Sequence, residues 1–160
     1  MEKVEVLILR NLLYNEEYLR KVIPFIKAEY FEDLHQKVLF EEMLKFVEEY
    51  NTASTKEVLC IEVEKRNDIN DTSFQEITKL ISYLEDVPTD YEWLVNTTEK
   101  WCRDRAIYLA LMESISLADG KDEKKDRDAI PGILSDALAV SFDPNVGHDY
   151  LLDYEARYES

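Results

Sequence analysis

From Trp93 to Ala118 the sequence reads WLVNTTEKWCRDRAIYLALMESISLA, one long helix whose second half, Ala106-Ile107-Tyr108-Leu109-Ala110-Leu111-Met112, is apolar on every side. Ile115, Leu117 and Ala118 follow, and Glu113 is the only charge between Ala106 and Ala118. A surface helix needs one apolar stripe. A helix that is apolar all round has to be covered all round. Roughly 28 residues at 1.5 Å each span ~42 Å, more than the other helices of a 160-residue chain can cover. The stretch is therefore expected to meet a second protein chain as well as its own core.

The rest of the chain predicts an all-α fold. Only three glycines and four prolines occur, which disfavours many short strands joined by turns. Val4, Leu7, Ile8, Asn11 and Leu12 carry helical spacing from near the N-terminus. Asn15 is placed to cap a short helix over Glu16 to Val22, which Pro24 ends. Phe25 to Glu32 reads as irregular and aromatic-rich. Leu39, Phe40, Met43, Phe46, Val47 and Tyr50 mark a helix from about Leu34 to Tyr50. Ser54 with Glu57 has the form of a capping box for a helix reaching about Arg66, although Val58 to Val63 also reads as a buried strand. Phe74, Ile77, Ile81 and Leu84 predict a helix capped by Asp71 or Thr72 and closed near Pro88.

Thr89 and Glu92 make a second capping box that starts the long helix, and Gly120 is a natural stop. Lys121 to Asp128 is a run of eight charges, four of each sign, expected at a solvated hairpin tip. Ile130, Ile133, Leu134, Ala137, Leu138, Ser141 and Phe142 give the returning helix a one-sided stripe, with Pro131 tolerated in its first turn. The division expected is a helical globule over residues 1–88, a helical hairpin over 89–143 that dimerises, and a linker over 144–160 with a short helix from 147. In that last segment Tyr150, Leu151, Tyr154 and Tyr158 share one face. The sequence stops at Ser160 in mid-pattern, as a piece cut from a longer chain would.

Reactive chemistry is hard to find. No GxxxxGK[ST] and no HExxH occurs, so neither a phosphate-binding loop nor a zinc helix is expected. His35 and His148 have no Cys or second His at ligand spacing. Cys60 and Cys102 lie outside any CxxC and suit a reducing compartment as small core residues. A Cys60–His35 nucleophile pair has no local support. The pairs Glu41/Glu42 and Glu48/Glu49 read as a solvated face, and Trp93 and Trp101 as hairpin packing. A net charge of −16 repels phosphate backbones and suits either solubility or a basic partner. No run of 18 apolar residues and no signal peptide is present, so a cytoplasmic protein with no membrane partner is expected.

Three segments carry a family resemblance: Glu29-Tyr30-Phe31-Glu32 after Pro24; Asp90-Tyr91-Glu92-Trp93-Leu94-Val95 with Thr98-Glu99-Lys100; and Ala139-Val140-Ser141-Phe142-Asp143 through Val146-Gly147-His148-Asp149 to Asp153-Tyr154-Glu155-Ala156-Arg157. With the order globule, long hairpin, short helix, they resemble the N-terminal domain of DnaB-type hexameric replicative DNA helicases of phage type. The resemblance implies a non-catalytic oligomerisation and partner-docking domain. It implies hairpin-paired dimers in a hexameric collar, contacts to primase and helicase loader, and DNA contact only through the parent's ring. No cofactor is expected in this chain; ATP and Mg would belong to a motor domain after Ser160. None of the family's catalytic residues falls within it. The self-association surface expected is Trp101, Ile107, Tyr108, Leu109, Leu111, Met112 and Ile115, with Ile133, Leu134 and Leu138. The linker face, Tyr150, Leu151, Tyr154 and Tyr158, would dock on a neighbouring motor. The rival reading is a free-standing acidic helical adaptor for a basic protein.

Overall fold

A computed structural model describes residues 3–120 and 127–142. Among these the chain is all-α. The order is α1 (Val4–Tyr14), α2 (Glu16–Val22), a 3-10 turn (Ala28–Tyr30), α3 (Leu34–Tyr50), α4 (Lys56–Glu64), α5 (Asp71–Tyr83), α6 (Tyr91–Ala118), a second 3-10 turn (Arg127–Ala129) and α7 (Ile130–Leu138). The chain divides into two compact units, one up to Cys102 and one from Arg103 on. The change of unit falls inside α6.

In the first unit α3 packs against α1, α4 and α5, and α1 against α2. Ile8, Leu9, Tyr18, Val22, Leu39, Phe40, Leu59, Val63 and Ile77 are fully buried. Burying each such side chain is worth about 1.5–3 kcal/mol. The opening turns of α6 belong to this core: Leu94, Thr98 and Cys102 are fully buried, at helical spacing on one face. The Thr98 hydroxyl donates to the Leu94 carbonyl at 2.8 Å, so the Tyr18 hydroxyl, 2.6 Å away, donates to Thr98 Oγ1. Burial pushes the Tyr18 hydroxyl far above its ordinary pKa, and it serves as a neutral donor.

Several helix starts sit one residue from where the sequence placed them. Asn15 caps α2 as expected, accepting from Tyr18 N–H. The cap of α4 is Thr55, accepting from Val58 N–H, because Ser54 is buried. Asn70 caps α5 in place of Asp71 or Thr72. At the start of α6 it is the Asp90 carboxylate that accepts from Trp93 N–H, while Thr89 Oγ1 accepts from Arg10. In each case a neighbouring Ser, Thr, Asn or Asp has the same chemistry, and tertiary context selects among them. Val58 to Val63 is helical, not a strand. At its far end α6 closes on Gly120, whose φ of +74 is the left-handed value expected after a helix. The returning helix is shorter than its pattern: α7 ends at Leu138, and the buried Phe142 lies beyond it.

Glu42 corrects the reading of α3 as carrying a solvated acidic face, since it is 4% exposed. Its Oε2 receives Arg66 NH1 at 2.7 Å, and the same guanidinium reaches Glu41 at 3.1 Å and Asp68 at 2.7 Å. The ionised partners raise the Arg66 pKa, with Asp68 the largest contributor. Removing one partner of a buried pair strands the other charge, at about 3 kcal/mol or more. Arg66→Met is expected to lower unfolding stability by that order in a denaturant titration, and Glu42→Leu added to it should restore most of the loss. Asp68, bonded by Arg66, and Glu62, bonded by Lys65, are both held below the usual carboxylate pKa. Their contribution is therefore complete above the unfolded carboxylate pKa of about 4 and is lost as pH falls through the folded values. Thermal melts from pH 7 downwards should show the midpoint dropping once that range is entered.

Candidate functional site

In the second unit α6 divides into two faces. Ala110, Ser114 and Leu117 are buried. Tyr108, Leu111, Met112 and Ile115 are each between 47% and 56% exposed. These four stand at i, i+3, i+4 and i+7, so they form one continuous stripe. The Arg105 guanidinium stacks 4.9 Å from the Tyr108 ring centroid at one end of it. Leu138 on α7 is also exposed. Two bonds tie the returning segment to α6: Arg103 Nε donates to the Val140 carbonyl at 3.0 Å, and Arg127 NH2 to the Ala118 carbonyl at 3.0 Å. The far end of the return meets the start of this part of α6 and its near end meets the finish, the order of an antiparallel return.

The expected self-association residues therefore fall into three groups. Tyr108, Leu111, Met112, Ile115 and Leu138 present apolar surface. Ile107, Leu109, Ile133 and Leu134 are half-buried within their own chain. Trp101 belongs to the core of the first unit. Its ring lies 4.9 Å from Phe31 and 6.0 Å from Tyr30, and its Nε1 donates to Glu5 Oε2 at 3.3 Å. Trp93, by contrast, is half exposed, so neither tryptophan packs as the hairpin reading placed it. The linker residues Tyr150, Leu151, Tyr154 and Tyr158 lie outside the described residues. Sequence alone could not divide an all-round apolar run into inner and outer faces. Ser114 and Ser116 look alike in sequence, yet only Ser114 is buried.

The reactive side chains are dispersed among separate surfaces. An open cleft of about 740 Å3 in the first unit is lined by Arg10, Asp33, His35, Lys79 and Tyr83 among others. His35 Nδ1 stands 4.0 Å from Asp33, the residue that caps α3. Cys60 lines a separate apolar groove of about 400 Å3 between α4 and α5, with Ile61 and Ile81. The fold thus does not bring Cys60 and His35 to one cavity. Burial raises the Cys60 pKa, with Lys56 opposing it only in part, and pushes Cys102 up to about 12. Both remain thiols at neutral pH, and a thiol is not a nucleophile until it ionises. Among the described residues no group of three His, Cys, Asp or Glu side chains could hold a metal ion. No described helix is long and apolar enough to cross a membrane.

What these surfaces define is an all-helical module whose prominent feature is uncovered apolar area. The particular relative comes from comparison with known proteins. The chain is 36% identical over 162 residues to the DnaB-like replicative helicase of Enterobacteria phage T4, with 96% of this chain aligned. It spans 34% of the length of that relative. Over this stretch it is a homologue of a replicative DNA helicase, as the three resembling segments led one to expect. No known family model matches the chain.

In the native protein at pH 8, Ellman's reagent should titrate Cys60 slowly and leave Cys102 unmodified. In denaturant both should react at once. Fast reaction of Cys102 in the folded chain would contradict the burial of α6's opening turns.

Proposed function

We propose that this chain is the part of a DnaB-like replicative helicase that pairs subunits and receives partner proteins, rather than the part that turns over ATP. The observation that carries the reading is the stripe Tyr108, Leu111, Met112 and Ile115, four large apolar side chains half open to water on one face of α6. Homology to a replicative helicase supplies the setting. The stripe's occupant is a second copy of the same stripe. A two-fold interface uses one patch twice and is the commonest way to bury such a surface. From Tyr108 to Ile115 the helix rises only about 10 Å, and a stable interface buries about 800 Å2 on each partner. The stripe is therefore the centre of the proposed contact, and Leu138, exposed on α7, is a further candidate for it.

In the whole protein, hairpin dimers of this kind would form a collar on a hexameric ring. ATP and Mg would be held by a motor domain, and DNA would be touched through the ring. Primase and helicase loader are the partners proposed for the collar. The apolar face of Tyr150, Leu151, Tyr154 and Tyr158, a sequence pattern, is proposed to dock in a groove on a neighbouring motor as an amphipathic helix does. The host cytoplasm is the site proposed for this work, with the phage lineage of the relative in support.

Light scattering and sedimentation test the central claim. The chain should self-associate at high micromolar concentration. Leu111→Asp or Met112→Asp should weaken that association by about 30-fold, the loss expected at an interface centre, without changing the helical circular dichroism. A unit mass equal to the monomer for the unmutated chain at that concentration would overturn it.

A second expectation follows from charge. At −16 the chain should not bind single-stranded DNA with submicromolar affinity at physiological salt. Fluorescence anisotropy with a labelled oligonucleotide checks this directly.

A further inference from the structure

A recess of about 390 Å3 opens between α3 and α4 in the first unit. One wall is aromatic. The Phe46 and Tyr50 rings lie 4.7 Å apart, and Tyr50 is 60% exposed. The other lining carries three carboxylates, Glu42, Glu49 and Glu62, and two lysines, Lys45 and Lys65, of which Lys65 donates to Glu62 at 3.0 Å and leaves Glu42 and Glu49 to the recess. Glu42 is the distinctive member. Arg66 fixes one of its oxygens, and the other, Oε1, is buried without a hydrogen bond. Lys45 Nζ stands 3.4 Å from Oε1 and 3.8 Å from Glu62, an ion pair without hydrogen-bond geometry to Glu42. That lysine side chain is 64% exposed, and exposed lysine pairs contribute little.

A rigidly held carboxylate oxygen lacking a hydrogen-bond donor, beside a half-open aromatic face, has the chemistry of a cation receptor. The cation is organic rather than a metal. A hard metal ion needs several oxygens, and no three acidic, His or Cys side chains among the described residues are placed to supply them. Among organic cations the guanidinium fits best. It is planar, stacks on aromatic rings, is weakly hydrated and donates in a fork to carboxylates. The overall charge of −16 draws basic protein segments towards the surface.

We propose that this recess receives an arginine side chain from a basic partner protein. The guanidinium stacks on Tyr50, bonds Glu42 Oε1, and displaces Lys45 to solvent. The recess lies in the first unit and the apolar stripe in the second, so the inference does not depend on self-pairing.

The test is a nuclear magnetic resonance titration of the isotope-labelled chain with a short arginine-bearing peptide and with its lysine counterpart. It is run in parallel on the Met112→Asp variant, so that loss of self-association and loss of binding are read separately. The arginine peptide should give saturable shifts confined to the ends of α3 and α4 around Phe46, Tyr50 and Glu62, with the lysine peptide several-fold weaker. Tyr50→Ala should weaken the arginine peptide by about five-fold, the order of a lost cation–π contact, and Glu49→Lys by more. Tyr83→Ala, equally exposed but lining another cleft, should change nothing. Shifts spread over the whole acidic surface, equal response to both peptides, or indifference to Tyr50→Ala would each overturn the proposal.

Discussion

The first unit closes because the opening turns of α6 fill it. Helices α1 to α5 leave an apolar gap that Leu94, Thr98, Trp101 and Cys102 occupy, and Tyr18 reaches Thr98 across 80 residues of sequence. Buried polar groups are costly unless paired. The tyrosine hydroxyl therefore fixes the rotation of α6 as well as contributing area. Rotating the helix by one residue would take Thr98 from Tyr18 and Trp101 from Phe31 and Glu5 at once.

Further along, the described residues leave one face of the same helix half open to water. Its inward face in the second unit uses small residues, Ala110 and Ser114, and only Leu117 is large. Its bulk is directed outward, in Tyr108, Leu111, Met112 and Ile115. A monomeric fold would be expected to place those sizes the other way round. Small residues inside and large ones outside is the arrangement on which the proposed pairing rests. Large contiguous apolar patches on soluble domains commonly mark such contacts.

Much of this was legible in the sequence. The helical periods of α1, α3 and α5 were unambiguous, and the stop at Gly120 needed no tertiary information. Asn15 was found because it alone at that point could cap. Elsewhere two adjacent residues had equal capping chemistry, as with Ser54 and Thr55, and only burial of Ser54 decides between them. Glu42 was read as solvated because its partner, Arg66, lies 24 residues away and nothing local announces the pair. Trp101 was assigned to the hairpin because α6 is continuous, and continuity conceals a change of surroundings at Cys102. The exposed apolar stripe on α6 was half visible. Its existence followed from counting apolar residues, but its direction required the neighbours.

The placement of the two tryptophans has a practical consequence. Both stand on α6 before Arg103, Trp101 against Tyr30 and Phe31 and Trp93 half in water. The second unit contains none. Intrinsic tryptophan emission is accordingly a reporter of the first unit alone, while far-ultraviolet dichroism counts helix in both. Comparing the two signals during denaturation separates a chain that melts as one cooperative body from one whose apolar half loosens first. Evolution has left a spectroscopic ruler on the helix, with its scale on one side only.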